Sequence, residues 1–231
     1  MEIQLTADIK KLTRDLRGIQ RKQITFALKN ALNDTAFDAR KAIMLAMPTY
    51  LDRPRNTTVK SVQVEKSKKT NLVAKVGFPG KGFGRTRWKE TPAEIMGRQI
   101  AGGIRRPVRK ALAVPTRNFK TNKYGNIVRN KINTLLANTD KYFSGVPKGR
   151  TASAAGIWER IPPNKTKRKK GSRLRKKGAK QQTIRMVIAW EPSAHYRSGR
   201  FPLFRIVEKT VRQQFADRFR TALRNALATA R

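Results

Sequence analysis

Cysteine is absent from the 231 residues, histidine occurs once, at His195, and Asp and Glu together number only 14. Without cysteine there is no disulfide framework and no thiolate metal site, a composition that fits a reducing compartment. One histidine and scattered carboxylates give no ligand set at zinc or EF-hand spacing, so no metal or other cofactor is expected. A hydrolytic triad is equally hard to assemble. The neighbours of His195 are Tyr196, Arg197 and Arg200, none of them a carboxylate that would orient an imidazole as a base. Glu90 and Glu94 are the nearest approach to paired carboxylates, and favourable interaction with the start of a helix accounts for them. The longest apolar run is residues 42–47, far short of the ~20 residues a membrane helix needs, and the amino-terminal segment lacks a signal-peptide core. The expectation is a soluble protein made in the cytoplasm, with no membrane partner and no enzymatic activity.

What the chain has in excess is positive charge: 54 Lys and Arg give a formal net charge of +40. A compact body with that charge repels itself and works beside a polyanion, nucleic acid being the commonest. The densest charge lies in residues 165–180, where ten of sixteen residues are basic and none is acidic. These ten, Lys165, Lys167, Arg168, Lys169, Lys170, Arg173, Arg175, Lys176, Lys177 and Lys180, are the first candidates for contact with nucleic acid, an acidic protein surface being the other partner such a run fits. The stretch contains no aromatic residue, which favours phosphate contact over base stacking. Neither a helix-turn-helix nor a zinc-finger pattern accompanies it, so a sequence-specific reader is not indicated. A second basic group, Arg105, Arg106 and Arg109 with Lys110, follows Gly102-Gly103 and joins the candidate surface. In a third, Arg85, Arg87 and Lys89 surround Trp88, an arrangement suited either to cation–π packing inside the fold or to contact with a partner. The cluster Gly80-Lys81-Gly82-Phe83-Gly84 departs from the Walker pattern, because its lysine precedes the last glycines and no Ser or Thr follows a Gly-Lys pair; it reads as a flexible loop.

Hydrophobic spacing predicts an amphipathic helix over residues 8–19 and a second over 22–47, whose alanine-rich stripe would let another helix approach closely before Pro48 and Pro54 stop it. Residues 57–65 and 71–78 read as an antiparallel strand pair. Thr91-Pro92-Ala93-Glu94 opens a short helix that Gly102-Gly103 ends. Residues 104–150 show few long apolar patterns beyond a helix at 128–136 and a turn at Tyr124-Gly125-Asn126, and read as an insertion or extended arm. Residues 154–161 and 183–190 form a further strand pair, so that 162–182 is a basic loop connecting them. From 205 to 229, Val207, Val211, Phe215, Phe219, Leu223 and Leu227 recur every fourth residue, marking a long helix. The whole chain is expected to be a single α+β domain, a mainly antiparallel sheet covered by long N-terminal and C-terminal helices, with an inserted irregular arm.

Four places in the chain resemble a family of tailed-phage virion proteins, the minor tail protein Z or tail-completion group. Gln23-Ile24-Thr25-Phe26-Ala27-Leu28 with Ala31-Leu32-Asn33-Asp34-Thr35-Ala36 is similar to the family's opening helix. Gln99-Ile100-Ala101-Gly102-Gly103 with Arg105 is similar to its Gln-Ile-x-Gly-Gly-x-Arg segment, Tyr124-Gly125-Asn126 to its Tyr-Gly-Asn turn, and Arg200-Phe201-Pro202-Leu203-Phe204 with the helix that follows to its close. The basic loop is longer and more charged than the family pattern. The resemblance implies a non-enzymatic structural protein of the virion, a homo-oligomer at the head–tail junction that completes or stabilises the tail near the DNA path. Its implied partners are other virion proteins (head–tail connector, tail terminator or tail tube), with non-specific contact to DNA phosphates. Charge alone supports an alternative, a cellular nucleic-acid-binding protein associated with ribosomes or the nucleoid.

Overall fold

The computed structural model describes residues 1–6, 18–85, 90–107, 110–162 and 183–229. In chain order the elements are β1 (Glu2–Thr6), α1 (Gly18–Tyr50), α2 (Asn56–Val59), β2 (Gln63–Glu65), β3 (Val73–Gly77), α3 (Pro92–Ala101), β4 (Gly103–Arg105) and β5 (Leu112–Pro115). They continue with α4 (Lys131–Ala137), β6 (Tyr142–Gly145), a 3-10 turn (Ala152–Ala154), β7 (Gly156–Ile161), β8 (Thr183–Glu191), β9 (Ala194–Tyr196) and α5 (Leu203–Ala228). The fold is α+β with antiparallel sheets and long helices toward both ends of the chain. It divides into two compact units, residues 1–103 with 195–231, and residues 104–194. β4 and β9 form a two-stranded ladder of their own.

In the first unit β3 is central, with β1 and β2 antiparallel on either side of it. The β2–β3 pair is the expected one, but only three residues of 57–65 are extended. Residues 56–59 instead make a helical turn, closed by the Thr58 and Val59 N–H groups on the Arg55 carbonyl. Local turn bonds here override the β-branched composition, whose preference is weak without a sheet neighbour. β1 is the strand that sequence reading omits, although Ile3 and Leu5 alternate with polar residues as a half-buried strand requires. The expected helix over 8–19 lies almost wholly outside the described residues.

α1 runs 33 residues, carries Pro48 in its last turn, and closes with the Leu51 N–H on the Met47 carbonyl. Its inner face supplies Leu32, Ala36, Ala39, Ile43 and Met47 to a core shared with Val76 and Phe78 of the sheet side and Phe201, Leu203 and Val207 of the chain's return. Burying each large aliphatic or aromatic side chain contributes about 1.5–3 kcal/mol, and this core is the main source of the unit's stability. Toward the start of α1 the alanine stripe does what its spacing implies: Ala27 and Ala31 pack on Ala222 and Ala226 of α5. The four-residue stripe of α5 drifts, however. At 3.6 residues per turn each step of four overshoots by about 40°, so the apolar positions rotate off the interface. Leu227 is 53% exposed, and Ala222 and Ala226 take the buried places instead.

α3 begins with a capping box in which the Glu94 carboxylate accepts from the Thr91 N–H at 2.8 Å and the Thr91 hydroxyl accepts from the Glu94 N–H. Its far end meets the chain's return: the Gly199 N–H donates to the Ile100 carbonyl at 3.0 Å and the Phe201 N–H to the Gln99 carbonyl at 2.9 Å. The Gln99-to-Gly103 and Arg200-to-Phe204 motifs, about a hundred residues apart, are therefore hydrogen-bonded to one another within this unit.

The second unit is a four-stranded antiparallel sheet in the order β5-β8-β7-β6. Leu135 of α4 packs against Ile157, Val187 and Ile188 on one of its faces. Residues 104–150, expected as an irregular arm, thus supply both outer strands of this sheet and the helix against it. Their strands are only four residues each, too short for an alternation pattern to stand out. The β7–β8 pairing is as expected, with Ile161 opposite Thr183, so residues 162–182 connect two neighbouring strand ends. The Tyr124-Gly125-Asn126 turn is also present, its Tyr124 and Asn126 N–H groups both donating to the Asn122 side chain.

Glycine is required at 102. Its φ is +77°, and an added methyl would lie 2.8 Å from the Ser198 nitrogen and 2.9 Å from the Tyr196 carbonyl oxygen. Gly97, inside α3, has open space around it. Gly102→Ala is expected to destabilise the protein by about 1–3 kcal/mol, and Gly97→Ala to stabilise it by roughly 0.5–1 kcal/mol. Urea unfolding of the two variants checks the opposite signs.

Candidate polyanion-binding surface

Positive charge is unevenly divided between the units. Residues 104–194 contain 24 Lys and Arg against three Asp and Glu, while the other 140 residues contain 30 against 11. The smaller unit is the more basic one.

Of its three carboxylates, Glu159 is the one built into the structure. It stands on β7 between Tyr142 of β6 and Arg185 of β8, opposite both in register. The carboxylate is buried, receives the Arg185 Nε at 2.6 Å and lies 3.3 Å from the Lys141 Nζ. Burial opposes ionisation of Glu159, but the hydrogen bonds from Arg185 and Lys141 outweigh it and hold the carboxyl below its ordinary value. The same contact raises Lys141. Both cations remain about half exposed, at 53% for Lys141 and 47% for Arg185. They face a cleft of about 450 Å³ that also includes Asp140, Arg160, Ile161 and Pro162, three cations against two carboxylates. Ile161 is the last residue of β7, so this cationic cleft lies at the strand end from which the basic segment departs.

Two further cations of this unit are committed to its own packing. Arg160 stacks on the Phe143 ring at 4.8 Å from its centroid and donates to the main-chain carbonyls of Thr139, Asp140 and Tyr142. Arg150 lies 5.0 Å over the ring of Trp158, whose indole N–H donates to the Ala154 carbonyl. Cation–π pairing of this sort contributes about 0.5–1 kcal/mol where solvent reaches it. These arginines hold strands and a turn in place.

The ten candidates in residues 165–180 lie outside the described residues, and so do Arg109 and the Arg87-Trp88-Lys89 group. Arg105 ends β4 half-buried, and Arg106 and Lys110 are exposed. Arg105 and Arg106 therefore belong to the same unit as the basic segment without being seen to join it. Lys141, Arg160 and Arg185 are cations that charge density alone does not single out. Their signal in the sequence is charge inside otherwise apolar strands, Glu159-Arg160 in one and Arg185 in its partner, a pattern that pairs opposite charges across a ladder.

The other features that invite a chemical reading have structural roles. Gly80-Lys81-Gly82-Phe83-Gly84, expected as a flexible loop, is a closed turn: Gly80 and Phe83 exchange main-chain hydrogen bonds and the Phe83 side chain is buried. Gln63 seals it by accepting from the Arg85 N–H and donating to the Arg85 carbonyl. The N–H groups of Gly80, Phe83 and Arg85 are thus occupied by protein acceptors and do not converge on an anion. Glu94 caps α3, its carboxyl lowered by the hydrogen bonds from Thr91, and Glu90 pairs with Arg98. His195 is exposed on β9. Among the described residues no three of His, Cys, Asp and Glu cluster as a metal site, and no helix is long and apolar enough to cross a membrane.

The lowered carboxyl of Glu159 sets a pH dependence. Its contribution to stability is complete above the ordinary carboxylate range and is lost as pH falls through the depressed folded value. Glu159→Gln should lower stability at neutral pH by on the order of 1 kcal/mol, its half-exposed partners being screened by solvent. The gap between the two proteins should close toward pH 3, as followed by urea unfolding at a series of pH values.

Comparison of the chain with protein-family models, with curated proteins and with solved structures finds no match.

Proposed function

We propose that the chain is a structural, non-enzymatic component of a tailed-phage virion that completes or stabilises the tail at the head–tail junction, as a homo-oligomer whose 104–194 unit faces DNA phosphates. The observation that carries the phosphate-facing part is the 24 cations against three carboxylates in that unit, with Glu159 neutralised from within. A polyanion meeting such a surface releases condensed counterions and gains affinity without reading sequence. Supporting the same view, the basic segment lacks aromatics on which bases could stack and connects two neighbouring strand ends. The virion setting is supported by the family resemblance, whose Gln99-to-Gly103 and Arg200-to-Phe204 motifs are joined by main-chain hydrogen bonds in one unit. Their separation by an inserted basic unit accommodates the departure of the loop from the family pattern. DNA passing a neck or tail wants many weak, sequence-independent contacts, which a surface of this composition provides.

Two measurements test it. The native protein is expected to cosediment with phage particles on a density gradient; recovery with ribosomes or chromosomal DNA instead would move it to the cellular reading. In binding to duplex DNA, changing Lys167, Arg168, Lys169, Lys170 and Lys176 together to Gln should weaken affinity and flatten the slope of log K against log salt by up to about 4.5, near 0.9 for each phosphate no longer neutralised. An unchanged slope would turn residues 165–180 toward protein.

A further inference from the structure

In the first unit β1 is an outer strand, and among the described residues no strand pairs with its far side. Alongside it runs an apolar groove of about 550 Å³, between Ile3 and Leu5 of β1, Leu32 of α1, and Phe204, Val207 and Val211 of α5. Phe204 stands at its lip with 54% of its surface exposed. The groove continues along α5 into a shallower cleft of about 370 Å³ lined by Arg205, Lys209 and Gln213, the two sharing Glu208 and Arg212. Glu208 and Arg212 neutralise one another at 2.7 Å. Arg205 and Lys209 have no carboxylate partner among the described residues.

We infer that this edge, groove and cleft form a docking site for an extended, acidic segment of another protein. An added strand would pair with the free edge of β1 and place every second side chain toward the groove, so its apolar residues alternate with polar ones. Its carboxylates meet Arg205 and Lys209, where opposite charge fixes the register. Nucleic acid does not fit, because a phosphate backbone gains nothing from an apolar trough. A second copy of this chain fits poorly on charge. Nine of its described carboxylates, Asp38 and Glu208 among them, are already engaged in its own ion pairs or in the capping box of α3. With a net charge of +40 it has little negative surface to offer Arg205 and Lys209. The site lies in the unit that does not carry the basic segment and is independent of whether that segment meets DNA.

The test uses the full chain and two fluorescent peptides of equal charge, one alternating Leu with Glu and one alternating Ser with Glu. Measured by anisotropy at physiological salt, the Leu peptide should bind at least about tenfold more tightly, and Phe204→Asp should abolish that advantage. Reversing Arg205 and Lys209 to Glu should weaken the Leu peptide by about tenfold, while the same reversal at Arg129 and Lys148 changes it less than about twofold. Equal binding of the two peptides, or an equal effect from the reversal at Arg129 and Lys148, would reduce the site to bulk charge and overturn it. Self-association of the chain in sedimentation equilibrium that Phe204→Asp removes would assign the groove to a second copy and likewise overturn it. Phe204→Ser, which places no charge at the lip, is the parallel variant if Phe204→Asp lowers the melting temperature.

Discussion

α1 and α5 lie antiparallel, and the rest of the first unit is arranged around their contact. Near the start of α1 the meeting side chains are alanines, Ala27 and Ala31 against Ala222 and Ala226, and further along they are Leu32 and Ile43 in a common core with Val207 and Leu203. Small residues let helix axes approach to the near end of the usual 8–10 Å range, with Phe26, Phe215 and Phe219 flanking the contact. Asp38 and Arg218 add a two-pronged ion pair at 2.8 and 3.0 Å. At the surface such a pair contributes about 0–1 kcal/mol, so it fixes the sliding register of the helices more than it stabilises them. Because one helix precedes residue 51 and the other follows residue 202, everything from 104 to 194 must leave this unit and return. The hydrogen bonds from Gly199 and Phe201 to the end of α3, and the tight fit of Gly102 against Ser198, are the closure that makes this departure compatible with a continuous core.

A chain of charge +40 must still fold, and its carboxylates show how. Some pair with a neighbouring cation at the surface, as Asp52, Glu208 and Asp217 do, and others join separate elements. Glu2 and Glu65 flank Lys75 across the three strands of the first sheet, Glu159 sits between Lys141 and Arg185 in the second, and Asp38 bridges the two long helices. Each of these joins adjoining elements, and Glu159 alone does so between two cations. Fourteen carboxylates still leave a net charge of +40 uncompensated. It lowers the stability of the compact state and raises its affinity for anything negative, two consequences of one composition.

Much of this is legible in the amino-acid sequence, for reasons that differ by element. The helices α1 and α5 declare themselves because apolar residues three or four apart, kept up along about twenty residues, are hard to produce otherwise. The capping box at Thr91 and Glu94 and the Asn122 turn are local chemistry and read directly from a few neighbouring residues. β1, β5 and β6 escape a sequence reading because each is five residues or fewer, and their status as strands depends on partners far along the chain: β1 pairs with residues 73–77 and β5 with 188–191. The second unit is hidden for the same reason. Of the site, the basic segment announces itself by composition, whereas the cationic cleft at its root does not. Lys141 and Arg185 are forty-four positions apart, and only the β6-β7-β8 order brings them to one carboxylate. The motif residues of α1 also prove to be structural: Asn33 accepts hydrogen bonds from both the N–H and the hydroxyl of Ser67, tying the β2–β3 connection to the helix.

The placement of Glu159 connects fold to function. A buried carboxylate in the most basic part of the chain is costly unless it is paired, and it is paired by two cations, one from either side of β7. The pairing leaves each cation half exposed, so the same three side chains that hold β6, β7 and β8 in register also present positive charge at the cleft. An approaching phosphate would compete with Glu159 for Arg185 and Lys141. Full transfer of either cation would strand the carboxylate, at a cost larger than one solvent-exposed phosphate contact returns. The cleft is thus suited to sharing its cations with a polyanion rather than surrendering them. Contacts of a polyanion with such a surface would be weak, numerous and reversible, as the proposed setting beside DNA requires.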